Sequence, residues 1–358
     1  MFRQIKIVLA TLAALVVLDV AVALVLTRAP AGLSAFFEYG RSVPGKIAQW
    51  QDRPGQSGNL LKVAWRPELL AESTTSFAAE DPAAGPVFRN YGMSFTQQLL
   101  AAAQKARPEL KVDGHAGPAA SPNFVYSIFL DDRANRRPGD VVVFGILSSS
   151  VPGLASFSNR VWAFEQPAPF TYPIFRPDAA GGLSRTDPEV VAFTDMTDPA
   201  KAAVFDAQMR TEDALWTPEA FALPALDVSP FARLLRRASA IGAIAAREAT
   251  ITTHPEDGPM PWAEVLRRMV RDVARISRED GQIPLIVLVQ AHDPESVSLR
   301  QALVPMLEAE DIPYLATDEV ADPQNSAAFV PDGHLTPAKN DELARRMLAL
   351  PGIAAALQ

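Results

Sequence analysis

Cysteine is absent from all 358 residues. That removes disulfides, thiolate nucleophiles and cysteine-type zinc sites, and leaves the compartment open. Histidine is scarce. His115, His254, His292 and His334 are the only four, so any imidazole-dependent mechanism has few candidates. A basic surplus is missing too: 33 Lys+Arg face 41 Asp+Glu, a formal net charge of -8. With no excess of cations to neutralise phosphates, the expectation is no nucleic-acid partner. No internal repeat is present.

Apolar residues and proline are abundant. The apolar fraction of 48% supports a substantial core, and many of the 31 prolines fall in 28–90 and 151–230, where irregular connections are expected. Residues 7–26 read IVLATLAALVVLDVAVALVL. About 20 residues at 1.5 Å each cross a hydrocarbon layer of roughly 30 Å. Arg3 and Lys6 precede the run and favour a cytoplasmic N-terminus, although Arg28 follows it directly. A cleaved signal peptide is the competing reading, with Ala29-Pro30-Ala31 as a weak cleavage site, but its apolar region is usually shorter. The expectation is therefore an uncleaved single-pass anchor over 1–28, with the rest periplasmic or otherwise extracytoplasmic. Asp19 lies inside the run, where a carboxyl group is costly. It marks a membrane partner helix, or is simply tolerated there.

Residues 29–84 read as a linker or irregular region, in which 28–58 is a linker or short helix ending in breaker-rich DRPGQSG. From 85 to 358 strand and helix patterns alternate. Strand-like runs at 87–91, 110–112, 141–145, 283–289 and 313–316 are separated by helical stretches near 95–107, 123–136 and 295–310, and a last helix covers about 337–350. This alternation implies an α/β domain with a mostly parallel sheet covered on both faces. Ligands in such sheets bind beyond the carboxyl ends of the strands. A long insertion, roughly 151–280, interrupts the pattern; it is aromatic-rich at first and then carries two amphipathic helices. In the second, Trp262, Val265, Leu266, Met269, Val270 and Val273 form an apolar stripe. Arg267, Arg268, Arg271, Arg275 and Arg278 occupy much of the remainder, as an anion-binding face or as a solvated face balanced by acids.

Chemistry-bearing residues sit at the strand ends. Ser94, in Gly92-Met93-Ser94-Phe95, follows the first strand and opens a helix, where backbone N–H groups favour an anion; an ordinary N-cap is the plainer reading. Asp332-Gly333-His334 precedes the last helix and suits a carboxylate that orients an imidazole base. The turns at Gly114–Gly117 and Gly145–Ser148 would let backbone approach a ligand or present an N–H to an oxyanion. His115 lines a pocket or is structural, and the same holds for His292 beside Gln290 and Asp293. His254 has no support.

In this order and placement the chain resembles the SGNH (GDSL-type) hydrolase superfamily, over about 85–150 and 280–358. Asn90-Tyr91-Gly92-Met93-Ser94-Phe95-Thr96 corresponds to the first block of that family and DGHLTPAKN to the last. The resemblance implies a flavodoxin-like three-layer α/β/α sandwich. It also implies Ser94 as nucleophile, His334 as base, Asp332 as its orienting acid and Gly117 as an oxyanion donor, with no metal or organic cofactor. Departures are Gly-Met-Ser for Gly-Asp-Ser, a spacing of Asp-x-His, and no asparagine after the third strand, where Ser148 or Ser149 would have to substitute. A membrane-anchored member suggests an esterase or O-acyltransferase acting on O-acyl groups, acetyl first among them, of envelope or exported polysaccharide. The alternatives are a lipid or small-ester esterase, and a catalytically degenerate scaffold or glycan-binding partner in an envelope assembly.

Overall fold

The computed structural model describes residues 2–27, 40–55, 58–81, 85–159, 164, 167–293 and 296–358. The chain divides into two units. One comprises Met1–Leu61, Arg160–Pro169 and Leu215–Arg247; the other comprises Lys62–Asn159, Phe170–Ala214 and Glu248–Gln358.

The first unit starts with helix α1 (Phe2–Thr27). Within its stretch Phe2–Val25 an 18-residue window has a mean hydropathy of 2.7 and no buried residue, and the stretch is long and apolar enough to cross a membrane. Helix α2 (Val43–Asp52) follows. Ser42 caps it, accepting the Gly45 N–H at 3.1 Å, and Pro44 occupies the first turn, where no N–H is needed. Buried Asp227 holds this corner, accepting the backbone N–H of Ser42 at 2.9 Å, its hydroxyl at 2.7 Å, and the guanidinium of Arg236. Asp19 has its partners within the same unit. Its carboxylate accepts the Ser229 hydroxyl at 2.6 Å and the Phe231 N–H at 2.9 Å, closing the first turn of the helix that begins at Pro230.

In the second unit, helix α3 (Arg66–Ala79) is followed by β1 (Val87–Gly92), α4 (Ser94–Ala106), β2 (Lys111–Ala116), α5 (Pro122–Asp131) and β3 (Val141–Leu147). The stretch 29–84, expected as an irregular linker, thus contains α2 and α3. After β3 come the antiparallel hairpin β4 (Ile174–Pro177) and β5 (Leu183–Thr186), then α6 (Pro199–Glu212); α7 (Pro230–Thr252) falls mainly in the first unit, and α8 (Trp262–Glu279) lies in the second. Strand β6 (Ile283–Val289), α9 (Leu299–Ala309), β7 (Tyr314–Ala316) and α10 (Pro337–Ala349) complete the unit's main elements.

The five long-range strands are all parallel, in the order β2-β1-β3-β6-β7. The central pair, β3 and β6, reads as near-continuous apolar runs because both faces are covered. Val141, Val142, Val143 and Phe144 have no exposed surface, and each such side chain contributes about 1.5–3 kcal/mol of burial. The edge strand β2 carries Lys111 and Asp113, which discourage pairing with another chain. Successive strand residues face opposite sides. The Tyr91 ring meets Phe129 of α5 edge-on at 5.6 Å, whereas Gly92 lies against Thr96 of α4. Helices therefore cover both faces, α5 with α8 on one and α4 with α10 on the other.

The stripe Val265, Leu266, Met269, Val270 and Val273 of α8 is fully buried, so this helix belongs to the layer over the sheet although it was expected within the insertion. Its arginines are matched, by Glu256 and Glu264 for Arg267, Glu264 for Arg268, Glu310 for Arg271, Asp272 and Glu279 for Arg275, and the Asp311 carbonyl for Arg278. The face is balanced by acids.

Candidate active site

Ser94 is placed by a sharp strand-to-helix junction. Strand β1 ends at Gly92, Met93 is extended, and α4 starts at Ser94. The Thr96 hydroxyl ties the junction, accepting the Met93 N–H at 3.2 Å and donating to the Met93 carbonyl at 2.8 Å. Two glycines make room for it. A Cβ at Gly92 would lie 2.2 Å from Thr96 Oγ1, and one at Gly145 would lie 2.6 Å from Thr96 Cγ2. Ser94 is consequently half-buried on the first turn of α4, where backbone N–H groups have no intrahelical partner and the helix dipole is positive.

The imidazole arrives from a separate turn. Phe329 and Leu335 form a bridge, the Val330 N–H donates to the His334 carbonyl at 2.8 Å, and Gly333 turns the chain at φ +84°. Helix α10 starts directly afterwards, with Pro337 in its first turn. It packs beside α4, where the Asn340 amide donates to Gln98 Oε1 at 3.3 Å. That packing sets His334 Nε2 2.6 Å from Ser94 Oγ. The Phe95 ring lies along the imidazole, with centroids 4.6 Å apart and planes at 30°.

Asp332 Oδ1 lies 3.0 Å from His334 Nδ1, but the contact is not an aligned hydrogen bond, and buried Nδ1 has no partner that meets that geometry. The same oxygen accepts the backbone N–H of His334 at 3.1 Å. The Asp332 side chain is 69% exposed, against 22% for His334. That backbone N–H first, and the imidazole second, hold the Asp332 carboxyl below the usual carboxylate range.

The other expected site residues are engaged in contacts of their own. The Gly117 N–H donates to the Gly92 carbonyl at 3.3 Å, extending the β1–β2 ladder by one bond, so the oxyanion role expected of it meets an N–H already engaged. The Ser148 hydroxyl accepts the Ala291 N–H at 2.9 Å and donates to Ser296 at 3.2 Å, which pins β3 to the loop after β6. Ser149 is exposed beside it. Buried His115 faces Tyr91, Asp113 and Asp132, with Nε2 at 3.5 and 3.7 Å from the two carboxylates. Burial opposes the charge of Asp113, but His115 and Arg89 outweigh it and hold its carboxyl below the ordinary range. His292 stacks on Phe329 at 4.6 Å with Nδ1 at 2.5 Å from the Pro323 carbonyl, and His254 Nδ1 sits at 3.0 Å from the Thr250 carbonyl.

Sequence reasoning missed Phe95 and Thr96 as parts of the site. The apolar and hydroxyl residues flanking Ser94 are the signal that was available. It also missed Asn159, whose amide donates to the carbonyls of Pro118 at 2.9 Å and Ala119 at 3.1 Å, clamping the loop after β2. Among the described residues no group of three His, Cys, Asp or Glu is arranged to hold a metal ion. A groove of about 680 Å³ along α8 is lined by Arg268, Arg271 and Arg275 and shares no residue with the Ser94–His334 pair. The chain matches no protein-family model and no curated protein by sequence.

Proposed function

We propose that the chain is a serine-dependent esterase or O-acyltransferase of the SGNH type, acting on O-acyl groups of envelope or exported polysaccharide. The observation that carries this reading is the 2.6 Å contact between Ser94 Oγ and His334 Nε2, made by residues 240 positions apart at the carboxyl edge of a parallel sheet. Order β2-β1-β3-β6-β7, with the hairpin set aside, is the 2-1-3-4-5 order of doubly wound flavodoxin-like sheets, which supports the same assignment. In the mechanism, Ser94 Oγ attacks the acyl carbon while its proton passes to His334 Nε2. The tetrahedral oxyanion is met by first-turn N–H groups of α4. Collapse expels the sugar oxygen, which takes the proton from His334. Water or a second sugar hydroxyl then attacks the acyl-serine, giving its proton to His334 Nε2, which returns it to Ser94 Oγ as acid or a new ester leaves. Helix α1 would hold the domain on the outer side of the membrane.

A non-catalytic scaffold or glycan-binding role is the second reading. It is favoured by the engaged Gly117 N–H, the engaged Ser148 hydroxyl and the unaligned Asp332 contact. Removing one oxyanion donor typically costs 10²–10³ in rate, so an incomplete hole would leave little turnover.

The test is release of acetate from p-nitrophenyl acetate and from an acetylated polysaccharide by the full chain in detergent. Ser94→Ala is expected to lower kcat by a factor on the order of 10⁴ or more. Equal rates from both folded proteins, with acetylated sugar as donor or acceptor, would leave the scaffold reading.

A further inference from the structure

The first unit carries a second apolar surface besides α1. Outside α1, eight large apolar side chains are exposed among the described residues, and five of them fall between 223 and 241. They are Leu223 at 67%, Leu226 at 46%, Val228 at 86%, Leu235 at 58% and Ile241 at 38% exposure. In a water-soluble surface single exposed side chains need no explanation, but a concentration of this kind marks an interaction face.

The Asp19 contact says what covers it. Ser229 and Phe231, inside the exposed apolar segment, are hydrogen-bonded to a carboxylate of the apolar helix itself at 2.6 and 2.9 Å. With the apolar run 7–26 centred in a hydrocarbon layer of roughly 30 Å and rising 1.5 Å per residue, Asp19 lies about 11 Å inside the nearer boundary. A segment bonded to Asp19 is brought to that depth. An amphipathic segment lying in the plane of a bilayer typically sinks its apolar face about 5–10 Å into the boundary between headgroups and acyl chains. Two polar groups of this segment have their partners within the unit. The Ser229 hydroxyl accepts the Ala232 N–H at 3.1 Å while donating to Asp19, and Arg236 is neutralised by Asp227. The one carboxylate in the span is likewise occupied by donors from the segment, so each offsets the desolvation of the other.

We infer that residues 223–241 form a monotopic membrane contact, lying in the headgroup–acyl boundary of the bilayer that α1 crosses, with Asp19 as the clip between the two. This rests on α1 being embedded and is independent of the chemistry at Ser94. The anchor then has two parts, a spanning helix and an in-plane segment, which fix the first unit's depth and rotation at the surface instead of leaving it on a swivel.

The absence of cysteine makes the test direct, because each introduced thiol is unique. The full chain carrying Val228→Cys, Leu12→Cys or Gln51→Cys is labelled with a small fluorophore and reconstituted in phosphatidylcholine–phosphatidylglycerol vesicles. Quenching by aqueous iodide is compared with quenching by lipids bearing a nitroxide high on the acyl chain. Leu12→Cys reports the span, and Gln51→Cys, on the exposed face of α2, reports water. The expected result is that the label on Val228→Cys loses iodide quenching and gains quenching by the shallow nitroxide, and that adding Asp19→Asn reverses part of both changes. Iodide quenching at Val228→Cys equal to that at Gln51→Cys, with Leu12→Cys still lipid-quenched, overturns the inference while leaving the anchor. Iodide access at Leu12→Cys would overturn both.

Discussion

At the residue scale the acid next to His334 is the unusual member. A carboxylate that orients a catalytic imidazole works best buried and in line with the Nδ1–H bond, and Asp332 is mostly exposed and bonded to the backbone. The ring is held instead by its place in the 330–334 turn and by Phe95 along its face. Asp332→Asn should therefore reduce kcat by well under the roughly 10⁴-fold that follows loss of a buried triad aspartate. Steady-state kinetics beside Ser94→Ala read the difference, and a 10⁴-fold loss would assign Asp332 the full orienting role. Ser94 and His334 were legible because a serine after a strand and a histidine before a helix are local patterns. The engagement of Gly117 was not, because whether an N–H is free depends on strand register, which the sequence of one strand does not contain.

Elements are joined most tightly where Thr96 of α4 fits between Gly92 of β1 and Gly145 of β3. Adding a methyl group at Gly145 must displace a buried threonine whose hydroxyl is bonded on two sides. Gly145→Ala is expected to destabilise the protein by about 1–3 kcal/mol. Thr96→Ser removes the obstructing Cγ2, so the double variant should cost less than the sum of the two single changes, read as a coupling in urea denaturation. Additive costs would show that the clash relaxes elsewhere. Element reading from sequence succeeded for β3, β6 and α10, where long apolar or periodic runs dominate. It failed for α3 and left α2 open between linker and short helix, because the prolines of 28–90 taken together signalled irregular connections, whereas Pro44 and Pro67 each occupy a first helical turn, the position proline tolerates. Helix α6 shows the same signature, Asp198 capping ahead of Pro199, and was within reach of that rule.

Across the second unit, a buried charged cluster on the α5 face of the sheet ties several elements together. Arg89, with no exposed side chain, meets Glu80 at 2.7 Å, Asp140 at 2.9 Å and Asp113 at 3.0 Å. Burial alone would disfavour its charge, but hydrogen bonds and charges from Glu80 and Asp140 outweigh this and hold the guanidinium more firmly protonated than usual. The cluster joins the segment after α3 to the starts of β1 and β3 and the middle of β2. Arg89→Met would take the buried cation from Asp140 and Asp113 and leave Glu80 with Arg137 alone, and a loss of about 3–5 kcal/mol is expected, read as a fall in the midpoint of thermal unfolding of the full chain. An unchanged midpoint would mean that water reaches the acids.

The pairing of β3 with β6 has a consequence in time. These neighbours are separated by residues 148–282, and His334 follows only after β6, α9 and β7. During synthesis the ribosome releases Ser94 long before its base exists. A long loop must close before the central pair forms. The Ser94–His334 contact is thus a late event in the life of each molecule, and on the proposed esterase reading a nascent or half-folded chain would meet an ester without a paired base.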